Sequence, residues 1–212
     1  MKQTIGIIGA GGHAKVVADA LMRANPRASL IFFSSEGRPE GGRFLGRPHF
    51  REEANLLERK WDHWAGWHVA IGDPELRAAK ISQLLEKGAR LVTVIHPDSI
   101  VSERCAIGPG SFVAAGAIVN IEAKVGAGCI INTAASVDHD SALGDFVNIG
   151  PGCRICGGVT VGSNAQVGSG AVIIPGVTIG EGCIVGAGAV VIRDLRERTM
   201  AIGVPARVVD RG

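Results

Sequence analysis

The chain has 212 residues, enough for one large domain or two small ones and for a sizeable buried core. Its 22 Lys and Arg nearly balance 20 Asp and Glu, and no basic run is interleaved with aromatics, so the formal charge of +2 gives no electrostatic case for nucleic acid as a partner. No apolar run is long enough to span a bilayer, and the five cysteines lack the spacing of a disulfide framework, so a cytoplasmic protein with reduced thiols is expected.

Met1 to Ala10 carries one lysine and a short apolar run that leads into a glycine loop, which reads as a first strand rather than a signal peptide. Ile5 to Ile8, followed by Gly9-Ala10-Gly11-Gly12-His13-Ala14, predicts a strand, a tight glycine loop and a helix running to about Arg23. Further strands are predicted at Leu30 to Phe33, His68 to Ile71 and Leu91 to Ile95, with helices at Arg51 to Arg59 and Pro74 to Lys87. Asp73 can cap the last of these, and Pro74 fits its first helical position. The segment Gly37 to Phe50, rich in Gly, Arg and Pro, is predicted as a surface loop.

Alternating strand and helix imply a parallel sheet with ligands at the carboxyl ends of the strands, so residues 1–95 are expected to form a short Rossmann-like βαβ domain. Gly9, Gly11 and Ala14 satisfy the dinucleotide fingerprint, which would make the protein an NAD-dependent reductase. Against that, the region is too short for both mononucleotide halves, and the second strand ends in Phe33-Ser34-Ser35 without an acid for a ribose hydroxyl, Glu36 lying only just beyond it. A loop whose amides and following helix N-terminus hold a phosphate is the preferred reading; a ligand-free strand-to-helix turn stays open. All three tryptophans, Trp61, Trp64 and Trp67, are expected to pack against the sheet, and His49, His63 and His68 take a structural or solvent role by default.

From Ile95 onward an aliphatic residue stands at every sixth position without a gap, through Val101, Ile107, Val113 and Val119 to Val185 and Val191. Four residues after each comes a second series, small or aliphatic throughout, from Ser99 and Cys105 to Ala189 and Leu195. A helix needs a period of 3.6 and a simple strand a period of 2, so a strict six means short strands separated by identical turns, the flat faces of a solenoid. The aliphatic series points to the axis and the small series fills the interior near the corner. Gly108, Gly126, Gly144 and their equivalents, next after the aliphatic, are expected to permit the turn backbone. Cys105, Cys129, Cys153 and Cys183 fall in the small series and read as interior packing.

This pattern resembles the hexapeptide-repeat acyltransferases. The resemblance implies a left-handed parallel β-helix with three hexads per coil over residues 96–212, so that residues eighteen apart stack. With Gly9-Ala10-Gly11-Gly12-His13 at the start, Asn132-Thr133 leading to Val137-Asp138-His139-Asp140, and Gly203-Val204-Pro205-Ala206-Arg207 at the end, the chain is similar to the sugar acetyltransferases that modify nucleotide-linked amino sugars in bacterial glycan assembly, and to the sialic acid O-acetyltransferases.

Acetyl transfer from a thioester to an amine needs a base and donors for a developing oxyanion. His139 lies outside both inward series with Asp138 and Asp140 beside it, and a carboxylate on one ring nitrogen would fix the tautomer and raise the basicity of the other. The resemblance favours Asp140 as that partner and leaves Asp138 a solvated turn residue. One coil on, Gly157 and Gly158 stack over His139 and would leave room for a thioester. Carried over residue by residue, the resemblance puts Gly11, Gly12, His13, Ser34, Ser35 and Gly72 at the nucleotide sugar. Asn132, Asn148, Gly157, Ser169 and Ala187 fall at acetyl-CoA, in a groove between the subunits of a homotrimer with no metal. Asn148 stands where relatives often have His, and Ser34 and Ser35 where uridine-binding relatives often have acids. O-acetylation of a sialic acid or related sugar, and a non-catalytic β-helix that only binds nucleotide, are the competing readings.

Overall fold

The computed structural model describes residues 3–37, 41–52 and 64–210. The chain opens with β1 (Thr4–Ile8), α1 (Gly12–Ala24) and β2 (Ser29–Ser34), and continues through β3 (Gly42–Phe44), β4 (Arg47–Arg51), β5 (Gly66–Val69) and α2 (Pro74–Glu86). These strands form one sheet in the order β3-β4-β2-β1-β5, parallel except for β3, which is antiparallel to β4. The alternating pattern thus yields the expected parallel sheet, with Ile7, Leu30 and Phe32 fully buried against α1 residues such as Val17 and Ala18. Asp73 caps α2, its Oδ1 accepting from the Leu76 amide at 2.8 Å, with Pro74 in the first turn.

The surface loop predicted over Gly37 to Phe50 is instead largely a β-hairpin. Its turn, at Leu45 and Gly46, has φ of 50° and 71°. The hairpin holds because its aromatics cover the sheet: Phe44 meets Phe32 edge-on at 4.9 Å, and Phe50 stacks on Phe33 at 5.9 Å. Gly, Pro and Arg in the segment masked that pairing. Trp64 and Trp67 stack at 5.2 Å in the same cluster, and Gly6 lacks the Cβ that would collide with the Trp67 ring. Trp61, His63 and all but the first two residues of the helix predicted from Arg51 lie outside the described residues, and Arg51 itself closes β4. The strand predicted over Leu91 to Ile95 is divided. Leu91 bridges to Trp67 of the N-terminal sheet, whereas β6 (Val94–Ile95) pairs with Phe112-Val113 and is the first rung of the solenoid.

From there, two-residue strands recur and stack on the strand eighteen residues on: Ile118 on Ser136, Lys124 on Ala142, Ile130 on Asn148. They form three parallel sheets of six, five and eight strands, the last ending in Met200–Ile202 and an antiparallel Arg207–Val209. Both inward series are buried as predicted, Val113 through Val191 and Ala117 through Ala189 at 5% exposure or less. Ile95 departs from this: at the open end of the solenoid, with no coil beneath it, it is 39% exposed. The glycine after the aliphatic also has a different reason from the one expected. A Cβ on Gly108 would lie 2.5 Å from the Gly126 carbonyl carbon one coil on, so coil-to-coil contact excludes side chains there. The left-handed turn residue comes two positions later and need not be glycine: Glu122, Ala134, Asp140, Phe146 and Asn164 occupy it with φ of 56° to 61°.

The column predicts its own sensitivity. Val161→Ala, at a site 1% exposed, should cost about 1 to 3 kcal/mol through a small cavity. Ala115→Ser, at a half-buried turn position, should leave the melting temperature nearly unchanged. Equal shifts in thermal denaturation would contradict the assigned phase of the hexads.

Candidate functional site

The predicted site residues fall in three places. The first is a cleft of about 400 Å³ at the carboxyl ends of β1 and β2, lined by Gly9, Ala10, Gly11, Ser34 and Ser35. Gly9 has φ of 115°, and a Cβ there would lie 2.6 Å from the Ala70 carbonyl oxygen, so this turn requires glycine. Gly11 caps α1 with no side-chain hydrogen bond, no acid stands in the first turn, and Gly11 and Gly12 face open space. The first amides of a 13-residue helix therefore lack a capping side chain, which is the electrostatic requirement for holding a phosphate. Ser34 Oγ is hydrogen bonded to His49 Nε2 at 2.8 Å, giving His49 a partner the sequence had not indicated. Glu36, just beyond β2, and the ion pair Lys80–Glu52, at 2.6 Å, complete the polar lining; the ion pair was not anticipated, because Glu52 and Lys80 belong to different elements.

The second is a cleft of about 430 Å³ where the N-terminal domain meets the eight-stranded solenoid sheet. His13, Gly72, Asn132, Asn148, Ser169 and Ala187 all line it, so residues assigned separately to sugar and to cosubstrate share one wall-to-wall space. His13 lies edge-on to Phe112 at 5.3 Å, and His68 contacts the same ring at 6.5 Å. Burial pushes both imidazoles down to about 4, with the Arg77 charge adding to it, so both are neutral at pH 7. Arg77 is the functional residue that sequence reading missed. It is 1% exposed and held by oxygens of both domains, and burial lowers it only to about 10, so it stays charged.

Acid stability follows from His68, 1% exposed, whose Nδ1 is bonded to the Val92 carbonyl at 2.9 Å and whose Nε2 has no partner among the described residues. Its folded pKa, about 4, lies below the unfolded 6.5, so the unfolded state takes up the proton first. Stability is complete above pH 6.5 and falls as pH drops from there to 4, by about 1.4 kcal/mol per unit and roughly 3 in all. His13, lowered to about the same value, adds a comparable share, so denaturant midpoints at pH 7, 5.5 and 4.5 should show at least this slope, and His68→Gln should remove roughly half of it.

The third place is a solenoid corner. His139 Nδ1 is 2.8 Å from Asp140 Oδ2, as the flanking carboxylates suggested. The His139 amide donates to Asp138 Oδ1 at 2.9 Å, and Asn120, one coil away, donates to the same oxygen at 2.8 Å. Asp138 is thus a turn clamp rather than only a solvated residue. The hydrogen bond to Asp140, and next the Asp138 charge, raise the His139 pKa above its ordinary value. A Cβ on Gly157 would lie 2.7 Å from His139 Nε2, so the space expected to be open for a thioester is taken by the imidazole ring, which only glycine allows. In this chain Gly157 sits against His139, apart from the other predicted groove residues. The two groups stand at opposite edges of the six-stranded face: Asn132, Ser169 and Ala187 precede its strands, and His139 and Gly157 follow them. One chain does not bring His139 to the cleft.

Among the described residues no cluster of His, Cys, Asp and Glu could hold a metal ion, and no helix is long and apolar enough to cross a membrane.

Residues 4–84 match the family model of the PglD N-terminal domain, and residues 158–193 that of the bacterial transferase hexapeptide in six repeats. GDP-perosamine N-acetyltransferase of Escherichia coli O157:H7 is 33% identical over 92 residues, 43% of this chain and 41% of that protein. UDP-N-acetylbacillosamine N-acetyltransferase of Bacillus subtilis (strain 168) is 35% identical over 116 residues, 53% and 52% of the two chains, so the matches span about half the length of these curated relatives or less. Among solved structures, PerB of Caulobacter crescentus in complex with CoA and GDP-perosamine superposes with a TM-score of 0.91 at 39% identity, covering 98% of this chain and 97% of that one. The acetyltransferase domain of PglB from Neisseria gonorrhoeae, in complex with acetyl coenzyme A, has a TM-score of 0.93 at 33% identity, covering 99% and 100%.

Proposed function

The chain belongs to the hexapeptide-repeat sugar acetyltransferases, left-handed β-helix proteins with a PglD-type N-terminal domain, and on that premise we propose that it transfers the acetyl group of acetyl-CoA to the amine of a nucleotide-linked amino sugar. The observation that carries the reading is the 2.8 Å hydrogen bond from His139 to Asp140, in a chain that superposes over nearly its whole length on a protein bound to CoA and such a sugar. Asp140 holds the Nδ1 proton, which leaves the lone pair on Nε2. That nitrogen takes a proton from the acceptor amine as the amine attacks the thioester carbonyl. The N–C bond forms, the tetrahedral oxyanion collapses, the C–S bond breaks, and the departing thiolate takes the proton back from His139.

The glycine loop with the α1 amides would hold the sugar diphosphate, Ser34 and Ser35 lie at the nucleoside, and His13 and Gly72 lie toward the sugar. Asn132, Asn148, Ser169 and Ala187 would line the path of acetyl-CoA. Since His139 and this cleft stand at opposite edges of one face, the reading requires a homotrimer in which one subunit's cleft meets its neighbour's His139. With those substrates the reaction would run in the cytoplasm.

Release of CoA, measured with acetyl-CoA and a panel of GDP-, UDP-, dTDP- and CMP-linked amino sugars and their hydroxyl analogues, tests this. An N-acetylated product is expected. Turnover confined to hydroxyl acceptors would make the enzyme an O-acetyltransferase, and nucleotide binding without any CoA release would leave a non-catalytic β-helix.

A further inference from the structure

Arg77 carries five N–H groups, and each one donates to an amide oxygen. Nε donates to Gly128 O at 2.7 Å, one terminal nitrogen to Ile71 O and Gly72 O at 2.8 and 2.9 Å, and the other to Phe146 O and Asn148 Oδ1 at 3.0 and 2.6 Å. Two of these acceptors belong to the segment that ends the N-terminal sheet, and three to solenoid coils. Gly72 and Asn148 are also walls of the second cleft.

The Asn148 contact has a chemical consequence. A primary amide can turn about its last bond and offer either its oxygen or its NH2 to a given side, whereas a guanidinium only donates. Arg77 therefore compels Asn148 to turn its oxygen inward, and the NH2 must face the other way. There Nδ2 donates one hydrogen to Gly72 O at 2.7 Å, in an exposed setting beside His13, Gln166 and Ser169. Its second hydrogen has no acceptor among the described residues. Arg77 on the oxygen and Gly72 O on the NH2 together fix that orientation; with Arg77 absent only the Gly72 contact opposes an amide turned with its oxygen to the cleft, where it would repel a carbonyl.

We infer that Arg77 is a positioning residue, which locks the Asn148 amide so that the coil offers a hydrogen-bond donor to a carbonyl oxygen of the acyl-thioester cosubstrate. The inference rests on the acetyl-transfer reading of this cleft. It accounts for a neutral amide at a position where an imidazole would face the same guanidinium at close range.

The test is a double-mutant cycle on acetyl-CoA affinity, read by calorimetry on the full chain, with KM, kcat and thermal midpoint measured alongside. Asn148→Asp keeps an oxygen for Arg77 and removes both N–H groups; the ion pair with Arg77 offsets the lost bond to Gly72 O, so the midpoint should stay near wild type while affinity for acetyl-CoA falls roughly tenfold. Arg77→Lys cannot reach five acceptors and frees the amide to turn, so it should weaken acetyl-CoA by a similar factor, with KM rising more than kcat falls. Combined with Asn148→Asp, it should add little further. Additive losses would show that Arg77 acts only on the fold, and wild-type affinity in Asn148→Asp would show that no donor is used; either result overturns the inference. If Arg77→Lys does not fold, Asn148→Asp alone retains that power. A wild-type protein that neither binds acetyl-CoA nor releases CoA is a separate outcome, which removes the acetyl-transfer reading itself.

Discussion

His139→Ala should lower turnover by about 10² to 10⁴ while leaving the thermal midpoint nearly unmoved. The two effects separate because the side chain is 58% exposed and its hydrogen-bond partner is a carboxylate, so no core contact is lost with it. Asp140→Asn sharpens the test. Asp140 sits in the left-handed region with φ of 59°, which asparagine adopts readily, so the turn should survive. The hydrogen bond to Asp140 is the first cause of the raised His139 pKa. A base works in its neutral form, so the acid limb of kcat/KM lies above the usual histidine range in the parent protein. It should move to lower pH in Asp140→Asn, with a reduced plateau because the tautomer is no longer held. An acid limb that stays in place would mean that Asp140 does not act through His139.

Arg77→Leu should produce the largest loss of stability of any single change considered. It leaves Gly128 O, Phe146 O and the Asn148 oxygen without their donor between two packed domains, and unsatisfied buried groups cost about 1 to 3 kcal/mol each. Water can replace the guanidinium on the cleft side, so a net cost of about 3 to 5 kcal/mol is expected. For a chain of this length that is a drop of roughly 6 to 20 °C in Tm. The unfolding should also become less cooperative, since Arg77 ties the loop after β5 to three separate coil positions; scanning calorimetry of wild type and variant would show it. A melting temperature within 2 °C of wild type would refute this account of the joint.

The hexad register and both inward series were legible from residue order because each depends on a repeat of fixed length, and so was His139 between two carboxylates, though the choice of Asp140 over Asp138 came from the family resemblance. The hairpin of β3 and β4 was not, since its stability comes from Phe44 and Phe50 meeting Phe32 and Phe33 across the sheet. His49 and Lys80 lacked evident roles because their partners, Ser34 and Glu52, lie on other elements. Spacing did place Gly157 over His139, but it could not show the imidazole lying where a Gly157 side chain would be, nor the pair at the far edge of a face from Asn132 and Ser169.

The sequence by itself determined short strands and identical turns, because a period of six fits neither helix nor simple strand, and it set His139 between two carboxylates, of which the family resemblance favoured Asp140. Only the tertiary structure decided what joins the two domains. Arg77 reaches acceptors 51, 69 and 71 residues further along the chain, and a lone arginine in an amphipathic helix carries no mark in sequence of being buried. Its role follows from the packing of α2 against the coils, where five amide oxygens converge on one cation and turn the Asn148 amide toward the cleft.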